Sequence, residues 1–196
     1  MREAPLCSRI VLALLAASAL AAGGCGVGRE TLMVTPVVYH AEDGLDPFAH
    51  LDDAHRSVSL PIFYATNRRA ARDAGPGRPQ DRYDNRRTET LQLGAATVTF
   101  DDRYSWEQLH DASRVDPRDE QIVLELTDVR EMASVPARLE APQPPAALSG
   151  SADAFFEAIN AQLALATDPE LLIYVHGAKV NFYNACVFAA ELDHFT

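Results

Sequence analysis

The sequence predicts an α/β fold, and three observations carry that prediction. Leu171 to Val175 is an apolar run without alternation, the mark of a strand covered on both faces, as in a parallel sheet flanked by helices. Ser151 to Ala166 places Phe156, Ile159, Leu163 and Ala166 at helical spacing, one apolar stripe. Phe182, Ala185, Cys186, Ala189 and Leu192 fall on one face of a closing helix over about 181–193. With 196 residues, 47% apolar and 23% charged, the chain has the composition of a globular domain with one core rather than of a disordered segment.

The strands come in order. Residues 60–66, Leu-Pro-Ile-Phe-Tyr-Ala-Thr, are β-branched and aromatic and stop at Asn67-Arg68. Pro61 suits an edge or a strand start. An arginine-rich loop with Gly75-Pro76-Gly77 is expected from Arg69 to about Glu89. Residues 91–100 form a second strand in which Gly94 suggests a bulge. Thr97 to Phe100 alternate polar and apolar, so one face there should be wet. Ser105 is placed to cap a short helix running through His110. Alternation returns in residues 121–127, a third strand, and residues 171–176 are the fourth. Between them Ala141-Pro142-Gln143-Pro144-Pro145 is an extended connector. Ser151 and Asp153 start the helix that follows, and Asp168-Pro169 ends it.

The first residues are not expected to join the fold. Arg2 and Arg9 precede the 13-residue apolar run Ile10 to Ala22, too short for a bilayer core that needs roughly 20 residues. Gly23, Gly24 and Cys25 follow. A charged start, a short apolar centre and a small-residue exit describe a secretory signal over residues 1–24. Ala22-Gly23-Gly24-Cys25 resembles the lipobox of bacterial lipoproteins, with Ala22 where that pattern prefers leucine. The resemblance implies lipid on Cys25 and a cell-envelope location facing the periplasm. With Gly26 and Val27 rather than aspartate after the cysteine, it implies the outer membrane in a host that has one. Residues 25–57, with the breakers Asp43-Gly44 and Asp46-Pro47, read as a tether in which Met33 to Tyr39, Phe48 and Leu51 have the character to dock. Residues 58–196 are the domain.

Charge narrows the partners. The formal net charge is −11, and loss of Arg2, Arg9 and Glu3 with the leader takes it to −12. Such a surface repels nucleic acid and anionic lipid alike, so no nucleic-acid partner is expected. Once Cys7 leaves and Cys25 carries lipid, Cys186 stands alone and no intrachain disulfide is available. It reads as a small core residue rather than a nucleophile. His50 and His55 are five apart among acids, poor geometry for zinc. The run Asp43 to Asp53 lacks the ligand spacing of a calcium loop. No cofactor is expected. The arginines from Arg68 to Arg87 read as a solvated loop, with steering of an anionic substrate as the alternative.

One turn has chemical interest. A buried strand running into His176-Gly177 and then a helix is where sheet ligands bind, and free backbone N–H groups in such a turn can hold an oxyanion. Ile173-Tyr174-Val175-His176-Gly177 resembles the third-strand His-Gly motif of α/β-hydrolases. The wider order, Phe63 to Arg68, Leu93 to Val98, Phe155-Phe156, His176-Gly177, then Phe182 and Ala185, resembles a bacterial family of α/β-hydrolase-like proteins over roughly residues 58–192. The resemblance implies the N-terminal portion of an α/β-hydrolase sheet and a serine hydrolase acting on a small-molecule ester or similar acyl bond. It makes Gly177 and Ala178 the oxyanion-hole residues and His176 a structural residue of the turn. Ala178-Lys179 stands where the family has Phe-Asn, but a backbone donor survives that change. No Gly-x-Ser-x-Gly elbow occurs, and Ser149-Gly150-Ser151 lacks the flanking glycines. The resemblance therefore implies a hydrolase sheet left incomplete at Thr196, inactive as it stands, with nucleophile, acid and base absent. The alternative is a non-catalytic envelope lipoprotein with a binding or structural role.

Overall fold

A computed structural model describes residues 29–40, 44–49, 51, 55–72, 78–137, 152–166 and 169–196. The leader, Cys25, His50, Gly75 to Gly77, the proline connector and Ser149 to Ser151 lie outside them. The described strands are β1 (Glu30–Thr31), β2 (Ser59–Ala70), β3 (Tyr83–Phe100) and β4 (Val123–Pro136). They form one sheet in the order β1-β4-β3-β2, and every pairing is antiparallel. The helices are α1 (Trp106–Ala112), α2 (Asp153–Leu163) and α3 (Phe182–His194).

This corrects the expected fold class. The sheet is antiparallel and is not the parallel sheet of an α/β-hydrolase. Residues 171–176 form no strand. The reason lies in the order of the elements. A parallel pair needs a crossover between its strands, yet α2 and α3 both follow the last strand of the sheet. Neither helix links two paired strands. The long strands β2, β3 and β4 instead follow one another in the chain and lie side by side.

Longer strands replace the expected short ones because both ends of the arginine-rich segment are drawn into strands, 69–70 into β2 and 83–89 into β3. Arg68 stands opposite Arg87 and Ala70 opposite Tyr83. Acids answer the crowded cations: Arg69 pairs with Asp84 and Arg82 with Glu131. The wet face expected around Thr97 is present, with Thr99 hydrogen-bonded to Ser59 and Thr127.

Strand β4 steers the two cores. Its register against β3 jumps between Thr97 and Val98 and again between Leu93 and Gly94, so Thr127 and Met132 are the extra residues of two bulges. Leu124 and Leu126 join Ala96, Val98 and Phe100 on one face, where α3 adds Phe182, Tyr183, Cys186, Val187 and Ala190. Beyond the second bulge Ala133 and Val135 join Leu93 on the opposite face, under Ala152 and Phe155 of the α2 region. Phe155 meets Phe63 edge-on at 5.8 Å, whereas Phe156, expected in the stripe, is 50% exposed. The buried stripe of α3 is likewise rotated from the expected one, running through Tyr183, Val187 and Ala190.

Part of the segment read as a tether packs on this body. Leu32 and Thr35 are buried, and β1 pairs with Val123 and Leu124. The Arg118 guanidinium donates to the carbonyls of Leu32 at 3.1 Å and Met33 at 2.6 Å and to Thr35 Oγ1 at 2.9 Å. Ser105 caps α1 through a reciprocal capping box with Gln108.

Gly94 is placed by its neighbours. A Cβ there would press into the Arg130 carbonyl and lie 2.6 Å from the Tyr64 hydroxyl. Gly177 is the opposite case, since a Cβ would meet nothing within 4 Å. Gly94→Ala should therefore cost about 2 kcal/mol or more through forced backbone displacement. Gly177→Ala should stay within about 0.5 kcal/mol, as surface changes do. Urea denaturation of the two variants checks both; equal costs would mean that β3 and β4 are not so closely apposed.

Candidate functional site

The turn singled out by the sequence sits at the start of α3. Asn181 caps that helix, its side chain accepting the Asn184 N–H at 2.7 Å, and Val180 N–H returns to the Gly177 carbonyl at 3.2 Å. The Arg68 guanidinium donates to the Val180 carbonyl and to Asn85, tying the turn's exit to β2. The rest of the turn stands in solvent. His176, Gly177, Ala178 and Lys179 are all exposed, and among the described residues the His176 ring bonds only locally, Nδ1 to the Gly177 carbonyl at 2.9 Å. A backbone amide can still meet an anion there, but in water such a contact loses most of the strength that a dry, low-dielectric site would give it.

The approach to the turn is exposed as well. Leu171, Leu172, Ile173, Tyr174 and Val175 are 59, 63, 76, 36 and 84% exposed. Tyr174 lines an apolar depression of about 410 Å³ with Met33, Phe188, Glu191 and Leu192. Glu191 is buried and accepts the Met33 N–H at 2.6 Å. Burial pushes its carboxyl above the ordinary range, against the lowering effect of that bond.

The other residues weighed in the sequence fall apart in space. Cys186 is buried as a free thiol, and burial pushes it up to about 12, which leaves it protonated and unreactive near neutrality. His55 is described and His50 is not; among the described residues no three metal-ligating side chains cluster.

The structure instead assembles a pair that the sequence hides. Ser113 Oγ lies 2.7 Å from His194 Nε2, across 81 positions. Ser113 caps the C-terminus of α1 and His194 closes α3. Serine beside histidine is the start of a nucleophile and base, but this pair is sealed. Ser113 is 0% and His194 6% exposed, and rings of Phe48, Phe100 and Phe195 lie 4.8 to 4.9 Å from the imidazole. Among the described residues no carboxylate is hydrogen-bonded to His194. The apolar surroundings push its pKa down to about 3, with Arg118 and His110 adding to the effect. The imidazole is therefore neutral and serves as a hydrogen-bond partner inside the core. Outside the pair, His110 lies 3.3 Å from Asp46 and 3.0 Å from Asp111. No local sequence signal marks Ser113 and His194, because neither sits in a motif.

Compared with protein-family models, curated proteins and solved structures, the chain matches none.

Two outcomes follow from the buried pair. Ser113→Ala should cost about 1–3 kcal/mol by leaving the imidazole nitrogen unpartnered, measured by chemical denaturation. In the unfolded chain His194 regains a pKa near 6.5 and binds a proton more readily than the folded chain does. Its contribution to stability is thus complete above pH 6.5 and shrinks as the pH falls toward 3. Between pH 7 and pH 5 that loss is about 2 kcal/mol. His194→Gln, which keeps a hydrogen-bonding side chain, should flatten the stability curve over that interval; an unchanged slope would place the titration elsewhere.

Proposed function

We propose that this protein is an exported lipoprotein, acylated at Cys25, that carries an acidic domain at a membrane of the cell envelope and acts there through binding rather than ester hydrolysis. The anchor half rests on the sequence: Arg2 and Arg9, the short apolar run Ile10 to Ala22, and Gly23-Gly24-Cys25. Lipid adds about 0.8 kcal/mol of membrane affinity per buried methylene. The net charge of −12 left once Arg2, Arg9 and Glu3 go with the leader holds the domain away from anionic headgroups rather than against them. Among the described residues no helix is long and apolar enough to cross a membrane. The residues after Cys25 favour the outer membrane of a diderm host, with the domain facing the periplasm.

One observation carries the non-catalytic half. The His176-Gly177-Ala178 turn, the element best suited to hold an oxyanion, lies open to water at the end of an exposed apolar strip. Ester hydrolysis at such a turn lacks the water-excluded, preorganised donors that the reaction needs. An exposed apolar strip is instead a feature of a contact surface.

Cells expressing the chain and fed an alkyne fatty acid should yield a labelled protein, and Cys25→Ser should abolish the label while the domain is still exported. The same preparation should show no labelling by a fluorophosphonate serine-hydrolase probe. Lipid labelling that survives Cys25→Ser would sink the anchor, and stoichiometric fluorophosphonate labelling would restore a hydrolase.

A further inference from the structure

We propose that residues 169–177 are a pairing strand whose partner is the same strand of a second copy of this chain, laid antiparallel about Ile173. The segment has the chemistry of a strand and none of the bonds of one. Ile173, Tyr174 and Val175 are strong strand formers, yet among the described residues the backbone N–H and C=O groups of Leu171 to His176 have no hydrogen-bond partner. Tyr174 shares an apolar depression with Met33, Phe188 and Leu192, while Leu171, Leu172, Ile173 and Val175 are 59, 63, 76 and 84% exposed.

The sequence of the segment is complementary to itself when reversed. Centred on Ile173, an antiparallel pair sets Leu171 against Val175, Leu172 against Tyr174 and Ile173 against its own copy. Glu170 then falls opposite His176 at both ends. Aliphatic and aromatic pairs fill the middle, an acid faces an imidazole on each flank, and Pro169 and Gly177 close the ladder. Cross-strand pairs of these kinds are stabilising, and like charges directly opposite are not. A parallel in-register pair would set Glu170 on Glu170. A shift of one residue sets Glu170 against Val175 or Gly177 and His176 against Pro169 or Leu171, so both acid–imidazole pairs are lost.

The symmetric pairing also limits the assembly. An isologous contact closes at two copies, whereas docking the segment on another copy's free sheet edge would be heterologous and would build a ring or an open filament. Chains of net charge −11 resist such propagation. The pairing goes beyond the envelope reading and stands without it, since the segment lies in the domain and not at the anchor.

The full chain with Cys7→Ser and Cys25→Ser, purified in non-ionic detergent, should sediment at equilibrium as a monomer–dimer system. Ile173→Arg should raise the dissociation constant at least tenfold. Val115→Arg, at another exposed apolar position, should leave it unchanged. Because both positions are exposed, the melting temperature reports that each variant still folds. Mild oxidation of Ile173→Cys should give a disulfide-linked dimer in high yield, and Phe156→Cys should not. A strictly monomeric parent, a dimer indifferent to Ile173→Arg, or equal crosslinking at the two cysteine positions would each overturn the pairing. None of those outcomes bears on lipid at Cys25.

Discussion

Helix α3 lying across the antiparallel sheet is the contact on which the rest depends. Phe182, Tyr183, Cys186, Val187 and Ala190 enter the core made by β2, β3 and β4. Each of the larger side chains contributes roughly 1.5–3 kcal/mol by leaving water. Polar contacts at the rim then fix the helix in one position. The Tyr183 hydroxyl donates to the Leu124 carbonyl at 2.7 Å, and the Asn184 amide donates to Glu30 at 2.7 Å. Glu191 takes the Met33 N–H at 2.6 Å, and the Tyr39 hydroxyl reaches the Phe195 carbonyl at 2.9 Å. The helix thereby holds β1, the residues after it and the end of α1 to one body. Without α3 the short β1 would keep only its pairing with β4 and the Arg118 contacts to the residues that follow it.

That arrangement dictates what is left outside. The α2 region packs on the face that carries Leu93, Ala133 and Val135, and α3 packs on the face that carries Val98 and Leu124. The chain between them must pass from one face of the sheet to the other. Residues 169–179 are that passage, and they are exposed throughout. The turn of His176, Gly177 and Ala178 is thus a by-product of carrying the chain to the start of α3. Its openness is what turns the functional reading from acyl chemistry toward contact.

How much of this was legible depended on whether neighbours in sequence or neighbours in space decide the outcome. Ser105 announces α1 because a helix cap is local. Alternation at Thr97 to Phe100 and at Ile122 to Leu126 marks two strands with one wet face. The helical stripes lie in the expected segments but face a different way. In α3, apolar residues occur nearly all round, so the period alone did not choose Tyr183 and Val187 over Ala185 and Ala189. In α2, Phe155 and Phe156 are adjacent, and the ring of Phe63 decided between them. The arginine-rich stretch read as a loop because nothing local shows that Asp84 and Glu131 will face it. Leu171 to Val175 misled most. An unbroken apolar run reports what a segment would prefer to be covered by, and pairing depends on which edge is within reach. Ser113 and His194 lay beyond any local rule, brought together only when α3 docks.

Amide hydrogen exchange measured against denaturant tests the central claim most directly. If α3 and the sheet are one cooperative unit, amides of Tyr183 to Ala190 and of Ala96 to Phe100 should open with the same free energy and the same denaturant slope. Exchange of the α3 amides at a clearly lower free energy, with the β3 amides still protected, would show that the sheet stands without the helix and would contradict the account.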